Sequence, residues 1–211
     1  MGMTRLPTSL PIFPLGGAIL LPGEILPLNI FEPRYLNMID DVMAADKLLG
    51  IVQTRAGGPA DAPFIEAIGG AGIITGYTET EDGRYMIELE GVSRFEITAE
   101  LDEKTPYRTA RIDWSLFDGD RAAPDALLTA DRQRFTALLR GWFAQESIKC
   151  DWSTVEAAPV IRIVDQIAMS APFAAKEKQA LLEAEDGRAR FDLMTALLEK
   201  KLAEGAGGTP N

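Results

Sequence analysis

Prolines divide the apolar residues at the start of the chain into short segments. Proline fixes φ and lacks a backbone N–H, so it is found in turns, in edge strands and at helix starts. Pro22-Gly23 is typical of a tight turn, because proline presets the first corner and glycine accepts a positive φ at the second. The pattern predicts short extended segments near sheet edges within residues 10–31. The prolines concerned are Pro11, Pro14, Pro22, Pro27 and Pro33.

The spacing becomes helical after Pro33, a residue suited to the first turn of a helix. Apolar residues then recur on one helical face, which predicts one early helix in this part of the chain. The residues on that face are Tyr35, Leu36, Ile39, Val42 and Met43.

Short apolar runs with glycine-rich or polar breaks follow, and they predict several strands. These strands are expected at residues 48–53, 64–77, 85–90, 95–98 and 107–114. Asp82-Gly83 predicts a type I′ hairpin turn. Gly91 predicts a break between two strands, and residues 57–63 predict a loop. Several short strands separated by glycine are typical of a small closed or half-closed barrel.

Helical spacing dominates beyond Asp118. Helices are expected at residues 125–145, from about Pro159, at 172–185 and at 188–203. Ser153 and Glu156 have the spacing of a capping box at a helix start. The chain is therefore predicted to be α+β, with a β-rich part at 1–118, an α-helical part at 119–204 and a disordered tail at 205–211.

The chain is strongly acidic. It has 21 Lys+Arg against 32 Asp+Glu, a net charge of −11, and its apolar fraction of 46% is enough for a core. Residues 1–118 contain 9 basic and 18 acidic side chains, so most of the excess (9 − 18 = −9) lies in the β-rich part. Such a charge repels phosphate backbones and anionic lipid surfaces, which argues against nucleic-acid and membrane partners.

The residue types limit the possible chemistry. The chain has no histidine and one cysteine, Cys150, which excludes an internal disulfide and a zinc site within one chain. This cysteine usage suits a reducing cytoplasm, and no apolar run approaches the roughly 20 residues of a membrane span. Ser170 with Lys176 or Lys178 is a weak candidate for a nucleophile and base, because it lacks an evident oxyanion site. We expect a cytoplasmic protein with no cofactor, no metal and no catalytic residues.

Three motifs occur in order along the chain. They are Leu10-Pro-x-x-Pro-Leu15 with Pro22-Gly23 and Leu26-Pro-Leu28, then Gly91-x-x-Arg94, and finally Lys178-Gln-Ala-Leu-Leu-Glu183 with Arg190. Together they resemble the amino-terminal substrate-binding domain of Lon proteases. The resemblance spans residues 10–202 and implies a PUA-like β pseudo-barrel followed by a helical bundle. The chain has no Gly-x-x-x-x-Gly-Lys-Ser/Thr loop. We therefore expect a stand-alone bacterial Lon-domain protein without the ATPase and protease domains of full-length Lon.

The resemblance implies a non-enzymatic module that binds unfolded or degron-bearing polypeptides. Edge strands broken by proline leave unpaired backbone groups beside apolar side chains, and these features can hold an extended peptide by strand addition. We expect the module to act alone or as an accessory to a protease or chaperone. A homo-oligomer would multiply weak contacts. The alternatives are an RNA-binding protein, since PUA-like barrels elsewhere contact RNA, an uncharacterised enzyme, and a purely structural or regulatory interaction domain.

The candidate peptide-binding residues fall into three groups. They are Phe13, Leu21, Phe31 and Tyr35 in the proline-rich segments, Arg94 in a strand, and Trp114 and Phe117 near the junction of the two predicted parts. For the apolar side chains the alternative is burial in the core. For Arg94 the alternative is a structural ion pair with Glu88 or Glu90.

Overall fold

The computed structural model describes residues 6–59, 62–102, 104–121 and 129–207. The strands are β1 (Ser9–Pro14), β2 (Ile25–Ile30), β3 (Leu48–Thr54), β4 (Ile65–Glu79), β5 (Tyr85–Leu101) and β6 (Arg108–Asp113). The helices are α1 (Pro33–Ala44), α2 (Thr129–Gln145), α3 (Trp152–Ala157), α4 (Val160–Ser170), α5 (Ala175–Glu183) and α6 (Gly187–Gly207), and a 3₁₀ helix occupies Ser115–Arg121. The predicted α+β class is confirmed.

The described residues form two compact units. The β unit contains residues 6–121 and 172–183, and the helical unit contains residues 129–171 and 184–207. Helix α5 therefore belongs to the β unit, whereas the division expected from the sequence places it in the helical part. Of the expected tail at 205–211, residues 205–207 continue α6, and 208–211 lie outside the described residues.

The β unit is built on one mixed sheet with the strand order β2-β5-β4-β3-β1-β6. Strands β1 and β3 are parallel, and the other ladders are antiparallel. The first half of β5 pairs with β2 and its second half pairs with β6. The ladders from β5 through β4, β3, β1 and β6 thus return to β5. Strand β2 lies outside this closed circuit.

Gly91 does not separate two strands, so the predicted break is wrong. Strand β5 continues through Gly91. Because glycine has no side chain, the backbone of Leu21 can pack directly against the strand at this position. A Cβ at Gly91 would lie 2.0 Å from the carbonyl oxygen of Leu21, and a Cβ at Gly70 would lie 2.0 Å from that of Leu20. These glycines allow close backbone approach within the strands.

The turn between β4 and β5 is at the predicted position, but it is not type I′. Gly83 N–H donates to the Thr80 carbonyl and Thr80 N–H donates to the Arg84 carbonyl, each at 2.9 Å. Gly83 has φ 78°, whereas Asp82 does not have the positive φ that a type I′ turn requires. Residues 81–83 therefore form a three-residue hairpin loop that ends in a left-handed glycine.

The core of the β unit lies inside the closed circuit of strands. It includes Leu10, Ile12, Leu48, Val52, Ile65, Ala71, Phe95, Ala110 and Ile112. The predicted early helix is confirmed as α1, which begins at Pro33 and buries Tyr35, Met38, Ile39 and Val42.

Buried side-chain amides hold α5 against the sheet of the β unit. Gln53 Nε2 donates to the Ala175 carbonyl and to Gln179 Oε1, each at 3.0 Å, while Gln53 Oε1 accepts from Gly17 N–H at 3.1 Å. Gln179 Nε2 donates to the Ile68 carbonyl at 3.1 Å. Each buried polar group therefore has a partner on another segment, which fixes the position of the helix.

The helical unit packs α2, α4 and α6 around an apolar centre. Phe135 and Phe191 lie 5.3 Å apart between ring centroids, and Arg190 forms a buried ion pair with Asp165 at 2.8 Å. None of the described helices is long and apolar enough to span a membrane.

Helix α3 begins with a different cap from the one predicted. Its N-cap is Asp151, whose Oδ1 accepts from Ser153 N–H at 3.0 Å. The predicted capping box at Ser153 is wrong because Asp151 supplies the acceptor two residues earlier, and Ser153 lies inside the first turn.

Candidate functional site

A groove with a cavity volume of about 540 Å³ opens on the β unit. We call it the aromatic groove and define it by Tyr35, Arg55, Phe64, Ile65, Tyr107 and Arg108, with further lining from neighbouring residues. These side chains come from α1, from the end of β3, from the start of β4 and from the start of β6. The groove is therefore assembled by segments that are distant in sequence.

Local structure fixes the walls of the groove. Pro33 at the start of α1 places Arg34 and Tyr35 in the first helical turn. Arg55 N–H donates to the Phe64 carbonyl at 2.7 Å, which ties the segment before β4 to the end of β3. The Tyr107 hydroxyl donates to Asp41 Oδ2 at 2.7 Å and so links the segment before β6 to α1.

Two aromatic rings give the groove its apolar character. Tyr35 is largely buried, lies 4.3 Å from Phe13 between ring centroids, and has a raised pKa because burial disfavours its ionised form. Phe64 is 55% exposed, so its ring is open to solvent at the groove. A ligand that covered Phe64 would gain the free energy of burying its ring.

Three guanidinium groups line the groove, and each lies within 4.0 Å of a carboxylate. Arg108 donates through Nε and Nη2 to Glu100 at 2.8 and 2.6 Å, and through Nη1 to the Pro63 carbonyl at 2.8 Å. Arg34 and Arg55 also line the groove, and Arg55 lies 3.8 Å from Glu66. The groove can therefore bind by apolar contact and by charge-assisted hydrogen bonds. No group of three metal-binding side chains occurs among the residues that the structure describes.

The seven residues predicted to bind peptide do not form one surface. Phe13, Leu21, Tyr35, Arg94 and Phe117 are buried, Trp114 is half-buried, and Phe31 is 63% exposed. The structure brings Phe13 against Tyr35, and of these two Tyr35 lines the aromatic groove. It brings Arg94 and Phe117 together elsewhere, with the guanidinium carbon 4.1 Å from the ring centroid. The binding role of the seven stays a prediction.

Arg94 is paired, but not with the expected carboxylates. Its Nε and Nη2 donate to Asp120 Oδ2 and Oδ1 at 2.9 and 2.7 Å, and its Nη1 donates to the Leu182 carbonyl at 2.8 Å. Glu88 and Glu90 are exposed. The predicted pairing is wrong because a register shift between Gly91 and Ser93 inserts one extra residue into β5. That residue reverses the alternation of side chains, so Arg94 lies on the opposite face of β5 from Glu88 and Glu90, where the 3₁₀ helix and α5 bury it.

The sequence analysis missed Phe64, Arg55 and Arg108. Phe64 follows a Gly- and Pro-rich segment and precedes a strand, where an inward-facing core residue is the usual expectation. The sequence pattern does not show whether an aromatic side chain at the start of a strand is buried or exposed. The pairing of β3 with β4 brings Arg55 beside Phe64, and Arg108 reaches the same segment from β6.

The fold has known structural neighbours. A Lon N-terminal domain protein from Xanthomonas campestris matches with a TM-score of 0.66 and 24% identity, over 90% of this chain and 98% of that one. The N-terminal domain of a Mycobacterium avium complex Lon protease matches with a TM-score of 0.63 and 18% identity, over 93% and 98% of the two chains. The fold is thus that of Lon amino-terminal domains.

The sequence shows the family. The family model described as the ATP-dependent protease La (LON) substrate-binding domain matches residues 9–200, and the chain belongs to this family. The Lon protease of Syntrophus aciditrophicus is 26% identical over 94% of this chain, and Lon protease 2 of Myxococcus xanthus is 27% identical over 93%. The chain spans 26% and 24% of the length of these two relatives. The resemblance inferred from the three motifs is confirmed.

Proposed function

We propose that the chain binds unfolded or degron-bearing polypeptide segments in the aromatic groove and acts as a substrate-recognition part of proteolysis. Membership of the LON substrate-binding domain family supports the general role. The observation that carries the choice of site is the groove of about 540 Å³ with the exposed ring of Phe64 on it. Binding pockets commonly have volumes of about 300–1,000 Å³ and place a few polar groups among apolar ones.

The free edge of β2 is the other place where a peptide could pair. Gly91 N–H donates to the Glu24 carbonyl at 2.9 Å. By the alternation of an antiparallel ladder, Ile25, Pro27 and Asn29 then direct their backbone groups to the free edge. Pro27 has no N–H, so a donor is missing in the middle of that edge. Strand addition along β2 is weakened for this reason, which favours the groove.

We infer that the module holds its client without covalent chemistry and without a cofactor. It acts alone or as an accessory to a protease or chaperone in the cytoplasm. The closed circuit of strands supports a PUA-like pseudo-barrel. Because single contacts are weak, more than one copy of the chain would increase the overall affinity.

The test compares an unfolded client with its native form. A reduced and alkylated client protein, labelled for fluorescence anisotropy, should bind more tightly than the native client. Phe64→Ala should weaken binding by about fivefold or more, because a central aromatic contact contributes upwards of about 1 kcal/mol. Equal affinity for the native and unfolded clients contradicts the proposal.

Two matched variants identify the surface. Met86→Ala removes a side chain that is 44% exposed on β5, outside the groove, and should change the affinity by less than about twofold. Leu116→Ala removes a side chain that is 60% exposed beside the predicted residues Trp114 and Phe117. A loss of binding in Leu116→Ala with none in Phe64→Ala would move the site away from the groove.

A further inference from the structure

We propose that the aromatic groove selects polypeptide segments in which acidic side chains alternate with aromatic or aliphatic ones. This inference rests on the proposed function, because it specifies the class of segment that the groove binds. Three observations support it. The lining of the groove has an excess of positive side chains in an acidic chain, it contains hydrogen-bond donors, and these donors are spread along the groove.

The side chains that line the groove carry an excess of positive charge, although the chain as a whole is acidic. The chain has a net charge of −11. The described residues that line the groove include three guanidinium groups and one carboxylate, that of Glu100. Outside the lining, Glu32 lies 3.0 Å from Arg34 and Glu66 lies 3.8 Å from Arg55. A concave site concentrates the field of its lining charges, so it attracts ligands of the opposite sign. The groove therefore favours carboxylates and disfavours lysine and arginine in a bound segment.

Two of the guanidinium groups, those of Arg55 and Arg108, have N–H donors that can bind a ligand. The side chain of Arg55 is 57% exposed and lies 3.8 Å from Glu66, which is beyond hydrogen-bond distance. Arg108 uses Nε, Nη1 and Nη2 once each, toward Glu100 and the Pro63 carbonyl. A guanidinium has five N–H groups, so one on each Nη atom has no partner among the described residues. The bonds to Glu100 hold this guanidinium in a fixed orientation, which reduces the entropy lost on binding.

The distribution of the arginines indicates acidic side chains as the anionic groups. Arg34 lies on α1, Arg55 directly follows β3, and Arg108 begins β6. A single chain terminus presents one carboxylate and requires donors that converge on one point. Positive groups spread over three elements suit an extended segment that presents several carboxylates in turn. The ring of Phe64 then contacts the apolar side chains between them.

The experiment uses the full chain and a set of labelled peptides of about a dozen residues, with identical Phe and Leu positions and amidated C-termini. The intervening residues are Asp, Asn or Lys. By fluorescence anisotropy the Asp peptide should bind about tenfold more tightly than the Asn peptide, and the Lys peptide most weakly. The difference should decrease as salt is raised, because exposed charges are screened. An Asn peptide with a free C-terminal carboxylate should bind no better than its amidated form.

A charge-reversal pair locates the effect. Arg55→Glu should weaken binding of the Asp peptide about tenfold and leave the Asn peptide within about twofold. Arg84→Glu makes the same charge change on the β4–β5 hairpin, outside the groove, and should leave both peptides within about twofold. Equal losses in the two variants, or preference for the free terminus, would overturn the inference.

The outcomes separate the two proposals. Equal binding of the Asp and Asn peptides, abolished by Phe64→Ala, would overturn the acidic preference and leave polypeptide binding intact. Absence of binding for every peptide and for the unfolded client would overturn the proposed function and the inference together.

Discussion

At the scale of single residues, two glycines determine how closely the backbone packs in the β unit. The carbonyl oxygens of Leu20 and Leu21 point at the α-carbons of Gly70 and Gly91 on adjacent strands. A side chain at either position would meet backbone, which has little freedom to move. These glycines are therefore required by packing and not by a positive φ.

Gly91→Ala should destabilise the protein by about 3 kcal/mol or more, because overpacking against backbone exceeds the usual cost of an extra methyl group. Denaturant unfolding followed by circular dichroism measures the change in the free energy of unfolding. Gly119→Ala is the control, since a Cβ at Gly119 would meet no atom within 4 Å. Similar stability of the two variants would contradict the packing argument.

At the scale of secondary-structure elements, the docking of α5 depends on side-chain amides. Gln53 is buried and bonds both Ala175 and Gln179 of this helix. Gln53→Leu keeps the approximate volume but leaves the Gly17 N–H and the Ala175 carbonyl without these partners. We expect a loss of about 2–3 kcal/mol, because each buried group that loses its partner costs about 1–3 kcal/mol.

Hydrogen exchange distinguishes the local effect from global unfolding. In Gln53→Leu the amides of α5 should exchange faster than those of β3 and β4. Gln145→Leu makes the same chemical change at an exposed site whose amide donates to the Lys201 carbonyl, and it should leave α5 protected. Unchanged exchange in α5 would show that the apolar contacts alone hold the helix.

The cap of α3 gives a pH-dependent contribution to stability. Hydrogen bonds from Ser153 and Thr154 lower the pKa of Asp151, because they favour the ionised carboxylate. A carboxyl whose pKa is lowered on folding stabilises the folded state above its unfolded pKa, about 3.9. That contribution is lost as pH falls through the lower folded pKa.

Asp151→Ala should therefore be less stable than the wild type at neutral pH, and the difference should shrink in acid. The measurement is the free energy of unfolding of both proteins across an acid titration. Glu146→Ala removes an exposed negative charge that does not lie at a helix N-terminus, and it should show no comparable loss of stability at neutral pH. A difference that stayed constant with pH would exclude the carboxylate as its source.

The elements that the sequence predicts well are those decided by local geometry. Pro33 and the apolar spacing after it define α1, and Pro22-Gly23 defines a turn in which Gly23 has φ 73°. The failures have a common cause in long-range contact. The sequence around Gly91 indicates a break because the carbonyl that approaches this glycine belongs to a residue 70 positions earlier. The partner of Arg94 depends on a register shift that no local pattern reveals.

At the scale of the whole molecule, the chain leaves the β unit after residue 121 and returns to it at residues 172–183. The returning segment supplies the Leu182 carbonyl to Arg94 and the Gln179 amide to Gln53. Periodicity predicts that this segment is a helix, but it does not predict which unit the helix joins. Its contacts lie 88 and 126 residues away in sequence.

Residues 1–122 alone should therefore be an incomplete folding unit. We expect a fragment of residues 1–122 to be less stable than the same fragment joined by a flexible linker to residues 172–183. In the shorter fragment the buried guanidinium of Arg94 loses one acceptor, and the amide of Gln53 loses two. The buried Leu181 and Leu182 also leave the β unit, which exposes apolar surface. Thermal unfolding and binding of a hydrophobic dye measure the two effects.

The linked fragment has a matched control in which Leu181 and Leu182 are changed to Ala. Alanine keeps the length and a high helical propensity, so a rescue that requires the leucines must come from docking and not from the presence of an added peptide. The intact linked fragment should melt cooperatively and bind little dye, whereas the Ala variant should behave like residues 1–122 alone. Equal stability of all three fragments would mean that the β unit is complete without α5. In that case the hydrogen bonds from Gln53 and Arg94 to α5 would form when the helix docks, but the β unit would not need them to fold.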